Sequence, residues 1–203
     1  MDFLNSIILL TNFIIVPGIT YGSQLALGAI GVTLIYGVLR FANFAYGDLM
    51  AFGTMVVILM TWYLQSKGIS FGLLPTALLA LPIGILLTIA VSLFFDKTVF
   101  EYYRNKKSNP VTFIVVSLGI MFVLNAVVRI IIGPNDINFM DGHKFIMKAR
   151  EFKQLTGLNE GLAIKSTQVI TLVTTIITCS ILFYFLNKTK TGKSMRAYSN
   201  NED

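Results

Sequence analysis

The stretch Arg40–Asp48, which reads RFANFAYGD, interrupts an otherwise apolar sequence with two charged residues, an amide, a phenol and a glycine. The residues before it carry no charge over Phe3–Leu39, and those after it carry none over Leu49–Ser66. Each run is long enough to cross the ~30 Å hydrocarbon core of a bilayer as a helix. Polar groups between two such runs must face protein or water rather than lipid. We therefore interpret the stretch as a polar break that belongs to a solute pathway.

The composition of the whole chain supports a membrane protein. Of its 203 residues, 55% are hydrophobic and 13% are charged, whereas soluble domains carry roughly 25% charged residues. A lipid-facing barrel needs alternating polarity, which the long uncharged runs exclude. We predict an all-α, polytopic transmembrane helical bundle of about five full spans plus a short N-terminal apolar segment, forming one membrane domain over residues 1–203.

The apolar runs define the predicted spans, which cover Ile19–Leu39, Leu49–Ser66, Gly72–Phe95, Val111–Ile132 and Ser166–Asn187. The N-terminal run Phe3–Val16 is at or below the length needed to cross a bilayer, and we expect Pro17-Gly18 to end it. The sequence leaves open whether this short segment lies at the interface or forms a tilted partial span.

Polar segments between the spans predict the orientation. Residues 96–110, an expected loop, and residues 188–203 are short and rich in Lys and Arg, which favours the cytoplasmic side. Residues 133–165 then form a longer loop on the outer side. The net charge of +6 follows the same positive-inside rule and does not indicate nucleic-acid binding. The sole histidine, His143, is interpreted as a solvated loop residue.

Small residues recur at helical spacing in the first predicted span. Gly18, Gly22 and Ala26 are four residues apart, with Gly28 nearby. Small side chains let helices approach closely in lipid, where no hydrophobic force drives association. We predict that these residues form a helix-packing face.

Enzyme chemistry has no support in the sequence. No set of His, Cys and acidic residues has metal-ligand spacing, and no nucleophile is paired with a base, so we predict neither a catalytic nor a metal site. Residues 191–194, Thr-Gly-Lys-Ser, end like a phosphate-binding loop but lack its earlier glycine and preceding strand.

Three blocks of sequence match a known pattern in the right order. Tyr21–Asp48 resembles the first block of branched-chain amino-acid ABC transporter permeases, the LivH/LivM family: a Gly/Ala-rich helix, then Tyr-Gly, then Asn-Phe-Ala-His-Gly-Asp/Glu. Val116–Asn125 followed by Gly133-Pro134 also resembles that family. Thr189–Ala197 is similar to its cytoplasmic loop, Thr-x-x-Gly-x-x-Met/Leu-Arg-Ala. The resemblance covers Gly18–Asp203 and is closer to the LivH-type subunit.

The resemblance implies a multi-pass subunit of an ATP-driven importer in a bacterial inner membrane. Its implied partners are a second, LivM-type permease subunit, two cytoplasmic ATP-binding subunits and a periplasmic amino-acid-binding protein. ATP is then used by the partner subunits, and this chain is not an enzyme and binds no cofactor. The coupling loop to the ATPase is implied to start at about residue 188, with Gly192, Met195, Arg196 and Ala197. Simple positive-inside anchoring of the basic residues is the alternative.

The resemblance also bears on the pathway. We predict that Asn43, Tyr46, Asp48 and Asn125 face it, although Asn43 and Asp48 could equally cap the following helix. Tyr46 stands where the family usually has histidine, and family chains continue into further spans, so we expect that this sequence lacks the C-terminal part. The expected solutes are leucine, isoleucine, valine or related amino acids. Import of urea or short amides, and an ATP-independent channel or secondary carrier, are the alternatives.

Overall fold

The computed structural model describes residues 2–69, 74–135, 139, 145–157 and 160–200. The elements in chain order are α1 (Asp2–Leu10), a π-helical turn (Thr11–Ile15), α2 (Val16–Leu39), α3 (Ala45–Ser66), α4 (Ala77–Phe95), a second π-helical turn (Asp96–Phe100), α5 (Glu101–Asn105), α6 (Pro110–Ile132), β1 (Phe145–Met147), α7 (Ala149–Thr156), β2 (Ile164–Lys165), α8 (Ser166–Lys188) and α9 (Lys190–Asn200).

Five helical segments among the described residues are long and apolar enough to cross a membrane. They are Phe3–Leu39, Ala45–Ser66, Ala77–Asn105, Pro110–Ile132 and Ser166–Lys188. This confirms the predicted all-α bundle with five spans.

The N-terminal apolar segment is an extension of the first span. α1, the first π-helical turn and α2 follow one another without a gap, so the expectation that Pro17-Gly18 ends a separate segment is wrong. The Val16 N–H bonds to the Thr11 carbonyl, five residues back. This wide turn directly precedes Pro17, which has no N–H to donate to a helical hydrogen bond. At about 1.5 Å per residue, the 37-residue segment is about 55 Å long and exceeds the ~30 Å hydrocarbon core.

The predicted loop at 96–110 is also wrong for most of its length. The α4 helix continues through the second π-helical turn and α5 as far as Asn105. Arg104 forms an exposed ion pair with Asp96, at 2.9 Å, across these added turns. The Ser108 N–H bonds to the Tyr103 carbonyl at 3.2 Å, and Lys107 has a φ of 50°, which ends the helix. The charged side chains of this segment are exposed, so they are compatible with a helix that continues beyond α4.

Two further helix starts differ from the prediction. α3 begins at Ala45 rather than Leu49, and α4 begins at Ala77 rather than Gly72, while residues 70–73 lie outside the described residues. α3 ends at Ser66, as the predicted span does. Gly68 has a φ of 73°, a left-handed conformation that glycine adopts without cost from a side chain.

The polar segment after α6 contains structure that the sequence did not predict. β1 pairs antiparallel with β2, with Phe145 opposite Lys165, and α7 lies between them in the chain. Gly157, with a φ of 69°, ends α7. His143 lies outside the described residues.

The contacts divide the chain into two compact units, Met1–Thr33 with Gly142–Asp203, and Leu34–Asp141. The second unit has a core around Ala45, Ile120 and Leu124, whose exposed fractions are 1%, 5% and 2%. In the first unit, the most apolar part of α8 has no residue buried by the described part of the chain. Large exposed apolar surface is expected where a helix faces lipid or another subunit.

Candidate functional site

The break between α2 and α3 is held by aromatic side chains. The last helical hydrogen bond of α2 runs from the Arg40 N–H to the Tyr36 carbonyl at 2.9 Å. Arg40 then has a left-handed backbone conformation, with a φ of 60°. Phe41, only 7% exposed, stacks on Phe113 at 5.2 Å and lies 5.9 Å from the Phe100 ring centroid. Burial of this ring fixes where the chain leaves the helix.

Two hydrogen bonds to backbone N–H groups lie at the start of α3. The Asn43 Oδ1 accepts the Ala45 N–H at 3.1 Å, which supports the capping interpretation of Asn43. The Phe44 N–H donates to the Ser117 Oγ of α6 at 3.2 Å, and the Ser117 hydroxyl donates to the Ile114 carbonyl at 2.8 Å. Ser117 is fully buried. Sequence reasoning missed Ser117, although its small polar side chain within the block Val116–Asn125 was a usable signal.

The structure brings together two of the four predicted pathway residues. The Asn125 Nδ2 of α6 donates to the Asp48 Oδ1 of α3 at 2.9 Å, and both side chains are half-buried. The side-chain bond of Asp48 in the described part of the chain runs to Asn125 rather than to a backbone N–H at the start of α3. Asp48 is the fourth helical residue, and its carboxylate turns to α6 instead.

The charge of Asp48 has no cationic partner within the described part of the chain. No Lys or Arg side chain lies within the 4.0 Å ion-pair distance of its carboxylate there. The half-buried Tyr46 makes no side-chain hydrogen bond with a described residue. The site is therefore a half-buried carboxylate in the first turn of α3 that an amide of α6 holds.

The predicted packing glycines of the first span have open space where a side chain would lie. A Cβ added at Gly18, Gly22 or Gly28 would have nothing within 4 Å, and Ala26 is exposed. Their role in helix packing stays a prediction.

Two other glycines, Gly53 and Gly84, permit the close approach of α3 and α4. A Cβ at Gly53 would lie 2.6 Å from the Thr88 Oγ1, and one at Gly84 would press into the Val57 side chain. Gly84 is buried and was missed by sequence reasoning, although Ala80 and Gly84, four residues apart in the same helix, were a usable small-residue signal.

The α8–α9 elbow, residues Lys188–Gly192, has a specific local structure. Thr189 is extended, and its Oγ1 accepts the Gly192 N–H at 3.0 Å while its hydroxyl donates to the Phe185 carbonyl at 2.6 Å. Gly192 is buried, and a Cβ there would press into the Phe185 carbonyl and lie 2.7 Å from the Leu186 Cα. Thr189 thus caps α9, and Gly192 permits the close approach.

The exposed side of α9 is basic. Lys190, Lys193 and Arg196 are exposed at three-residue spacing. Met195, 38% exposed, and the exposed Ala197 lie beside them. Residues 191–194 are helical and follow another helix, so they do not have the strand-loop-helix context of a phosphate-binding loop.

These features define a class. The protein is a multi-pass helical membrane protein in which polar side chains join the helices beside the polar break between α2 and α3. Comparison with known proteins makes the class specific. The family model for "Branched-chain amino acid transport system / permease component" matches residues 14–203, and the chain belongs to this family.

Curated relatives carry matching names. The "High-affinity branched-chain amino acid transport system permease protein LivH" of Escherichia coli (strain K12) and that of Salmonella typhimurium are each 25% identical over 184 residues, covering 89% of this chain and 56% of theirs. The "High-affinity branched-chain amino acid transport system permease protein BraD" of Pseudomonas aeruginosa is 24% identical over 192 residues, covering 90% of this chain and 57% of its own. The chain thus spans little more than half the length of these relatives. No solved structure matches the chain.

Proposed function

We propose that the chain is the permease subunit of an ATP-driven importer for branched-chain or related amino acids in a bacterial inner membrane. The observation that carries this proposal is the α8–α9 elbow, which presents a basic helix at the end of a membrane span in a chain of the permease family.

The elbow is suited to transmit a displacement. Gly192 packs against the backbone of Phe185 and Leu186, and the Thr189 side chain bonds to both helices, so α9 cannot shift without moving the end of α8. The exposed cations of α9 complement an acidic surface. In our proposal that surface is on a cytoplasmic ATP-binding subunit, and the elbow faces the cytoplasm by the positive-inside rule.

The remaining partners follow from the same proposal. A second permease subunit completes the membrane pathway, a second ATP-binding subunit completes the motor, and a periplasmic binding protein delivers the solute. ATP binds to the partner subunits, not to this chain. Closure of the ATPase pair displaces the elbows, and the helices switch a central cavity between outward and inward access.

The pathway in this proposal includes Asn43, Tyr46, Asp48 and Asn125. The Asp48 carboxylate has one amide partner and no cation among the described residues. It is therefore suited to receive a cationic group, such as the ammonium group of an amino acid. Urea and short amides are neutral and would not satisfy this charge, which favours an amino acid as the solute.

Co-purification with the ATP-binding subunits tests the motor part. The chain is co-expressed with the ATPases and permease partner, and recovered ATPase is measured for wild type, Arg196→Glu and Gly192→Leu. We expect both variants to recover less ATPase. Lys165→Glu is the matched control, since Lys165 is an exposed cation at the other end of α8. No ATPase recovered with wild type, or equal recovery with all variants, would contradict the coupling role and favour an ATP-independent carrier.

A solute assay tests the cargo. Uptake of leucine and of urea is measured with the complete assembly in proteoliposomes, together with the binding protein, for wild type and Asp48→Asn. We expect ATP-dependent leucine uptake that Asp48→Asn reduces. Urea uptake without leucine uptake would replace the amino-acid proposal with the short-amide alternative.

A further inference from the structure

Two asparagines of the N-terminal helix bind one short segment far along the chain. The Asn12 Nδ2 donates to the Gly161 carbonyl at 2.6 Å, and the Asn12 Oδ1 accepts the Ala163 N–H at 3.0 Å. The Asn5 Oδ1 accepts the Glu160 N–H at 3.4 Å. Asn5 and Asn12 are seven residues apart, about two helical turns, so they lie on the same side of the helix. We name these contacts the amide clamp.

The clamped segment is also fixed from its other side. Gly161 is buried, and a Cβ there would press into the Ala149 carbonyl and lie 2.8 Å from the Ala149 Cα. Ala149 is the first residue of α7. Only glycine fits between the Asn12 amide and the α7 backbone, so the segment 160–163 is held between the N-terminal helix and α7.

The clamp explains why amides occur in this apolar helix. An unpaired amide in a membrane span is costly, whereas Asn12 uses both its donor and its acceptor on the backbone of 160–163. Asn12 lies in the π-helical turn Thr11–Ile15, a geometry found frequently at functional positions. Two bonds from one side chain to alternate backbone groups copy the pairing of a neighbouring strand.

We propose that Asn12, assisted by Asn5, is a positioning residue: it joins the N-terminal helix to the chain just before β2 and α8, so that these parts move as one body. β2 leads directly into α8, and α8 ends at the α8–α9 elbow. A displacement at the elbow then reaches the N-terminal helix through α8 and the clamp. This last step rests on the proposed function, whereas the clamp itself does not.

Amide hydrogen exchange tests the clamp in the full chain in nanodiscs, without the ATP-binding subunits. For Asn12→Leu, we expect exchange at the Ala163 amide to rise at least about fivefold, the effect of losing one net hydrogen bond. Asn12→Asp keeps the acceptor for Ala163 but loses the donor to Gly161, so it should raise this exchange less. Asn187→Leu is the matched control, because the bond of the Asn187 amide in the described part of the chain lies within α8, to the Phe183 carbonyl. Unchanged exchange at Ala163 in Asn12→Leu would overturn the clamp, and Asn12→Asp carries the test if Asn12→Leu does not accumulate.

Uptake kinetics test the transport step. We expect Asn12→Leu to lower the kcat of solute uptake with little change in KM and with full recovery of the ATPase, and Asn12→Asp to restore part of the kcat. A purely local structural role would raise exchange at Ala163 and leave kcat unchanged, which would overturn the coupled motion. If wild type recovers no ATPase, the proposed function fails, while the exchange experiment still decides the clamp.

Discussion

The Asn125 amide of α6 donates a hydrogen bond of 2.9 Å to the Asp48 carboxylate in the first turn of α3. The two residues are 77 positions apart in sequence, and the bond lies beside the small core of Ala45, Ile120 and Leu124. The bond therefore joins the spans α3 and α6 near the end of α3 that follows the polar break. Its contribution to stability can be measured separately from any role in transport.

Loss of the Asn125 amide should destabilise the bundle. Asn125→Leu removes the donor and leaves the half-buried carboxylate without a partner among the described residues, at a cost of about 1.5–3 kcal/mol in the free energy of unfolding. Asp48→Asn keeps a neutral hydrogen bond and should cost less. Thermal unfolding in detergent, followed by circular dichroism, checks the order. Asn105→Leu, an exposed site at the end of α5, is the control. Equal midpoints for Asn125→Leu and this control would contradict the role of the bond.

The close approach of α3 and α4 should make Gly84 intolerant of a side chain. Gly84→Ala places a methyl group against Val57 and 3.4 Å from the Gly53 carbonyl, which should cost about 1–3 kcal/mol of stability. Gly22→Ala is the matched control, because nothing lies within 4 Å of the added Cβ. That control should be neutral or stabilising by about 0.5–1 kcal/mol. Thermal unfolding followed by circular dichroism again measures the effect. A Gly84→Ala variant with the wild-type midpoint would contradict the close approach of α3 and α4.

The elbow should loosen when its cap is removed. Thr189→Val eliminates the acceptor for the Gly192 N–H and should cost about 1 kcal/mol, seen as faster exchange at that amide. Gly192→Ala should have a larger effect, since its Cβ would meet the backbone of Phe185 and Leu186 rather than a movable side chain. Thr174→Val serves as the control, because the Thr174 hydroxyl bonds found among the described residues lie within α8. Equal exchange in Thr189→Val and the control would exclude the cap.

Lys106, which follows α5 outside the predicted spans, should titrate above its ordinary range. A hydrogen bond with the Tyr102 hydroxyl is the main cause that raises the pKa of Lys106 above its ordinary 10.5. A raised pKa in the folded state means that the interaction is fully present below the unfolded pKa and is lost as the pH rises through the folded pKa. Tyr102→Phe should lower the pKa toward its ordinary value. Carbon-13 NMR of the Lys106 side chain above pH 10.5 measures it, and an unchanged pKa would contradict the bond.

Part of the candidate site was predictable from the sequence. Asn43, Asp48 and Asn125 stand out because a polar residue within an apolar run must find a partner or water. The sequence did not show that Asp48 pairs with Asn125 rather than capping α3, because the choice depends on how α3 and α6 are rotated about their axes. Ser117 and Gly84 were missed for the same reason: their importance comes from a neighbour on another helix.

Hydropathy and charge predict the class, the five spans and the basic segment after the last span, because both are local sums that each segment carries along the chain. The folded arrangement sets which polar groups meet, such as Asn12 with Gly161, 149 residues away. It also decided that the helix continues through Pro17 and beyond Asp96. Pairing across helices depends on register and rotation, and these are fixed by packing between distant segments rather than by the composition of any one segment.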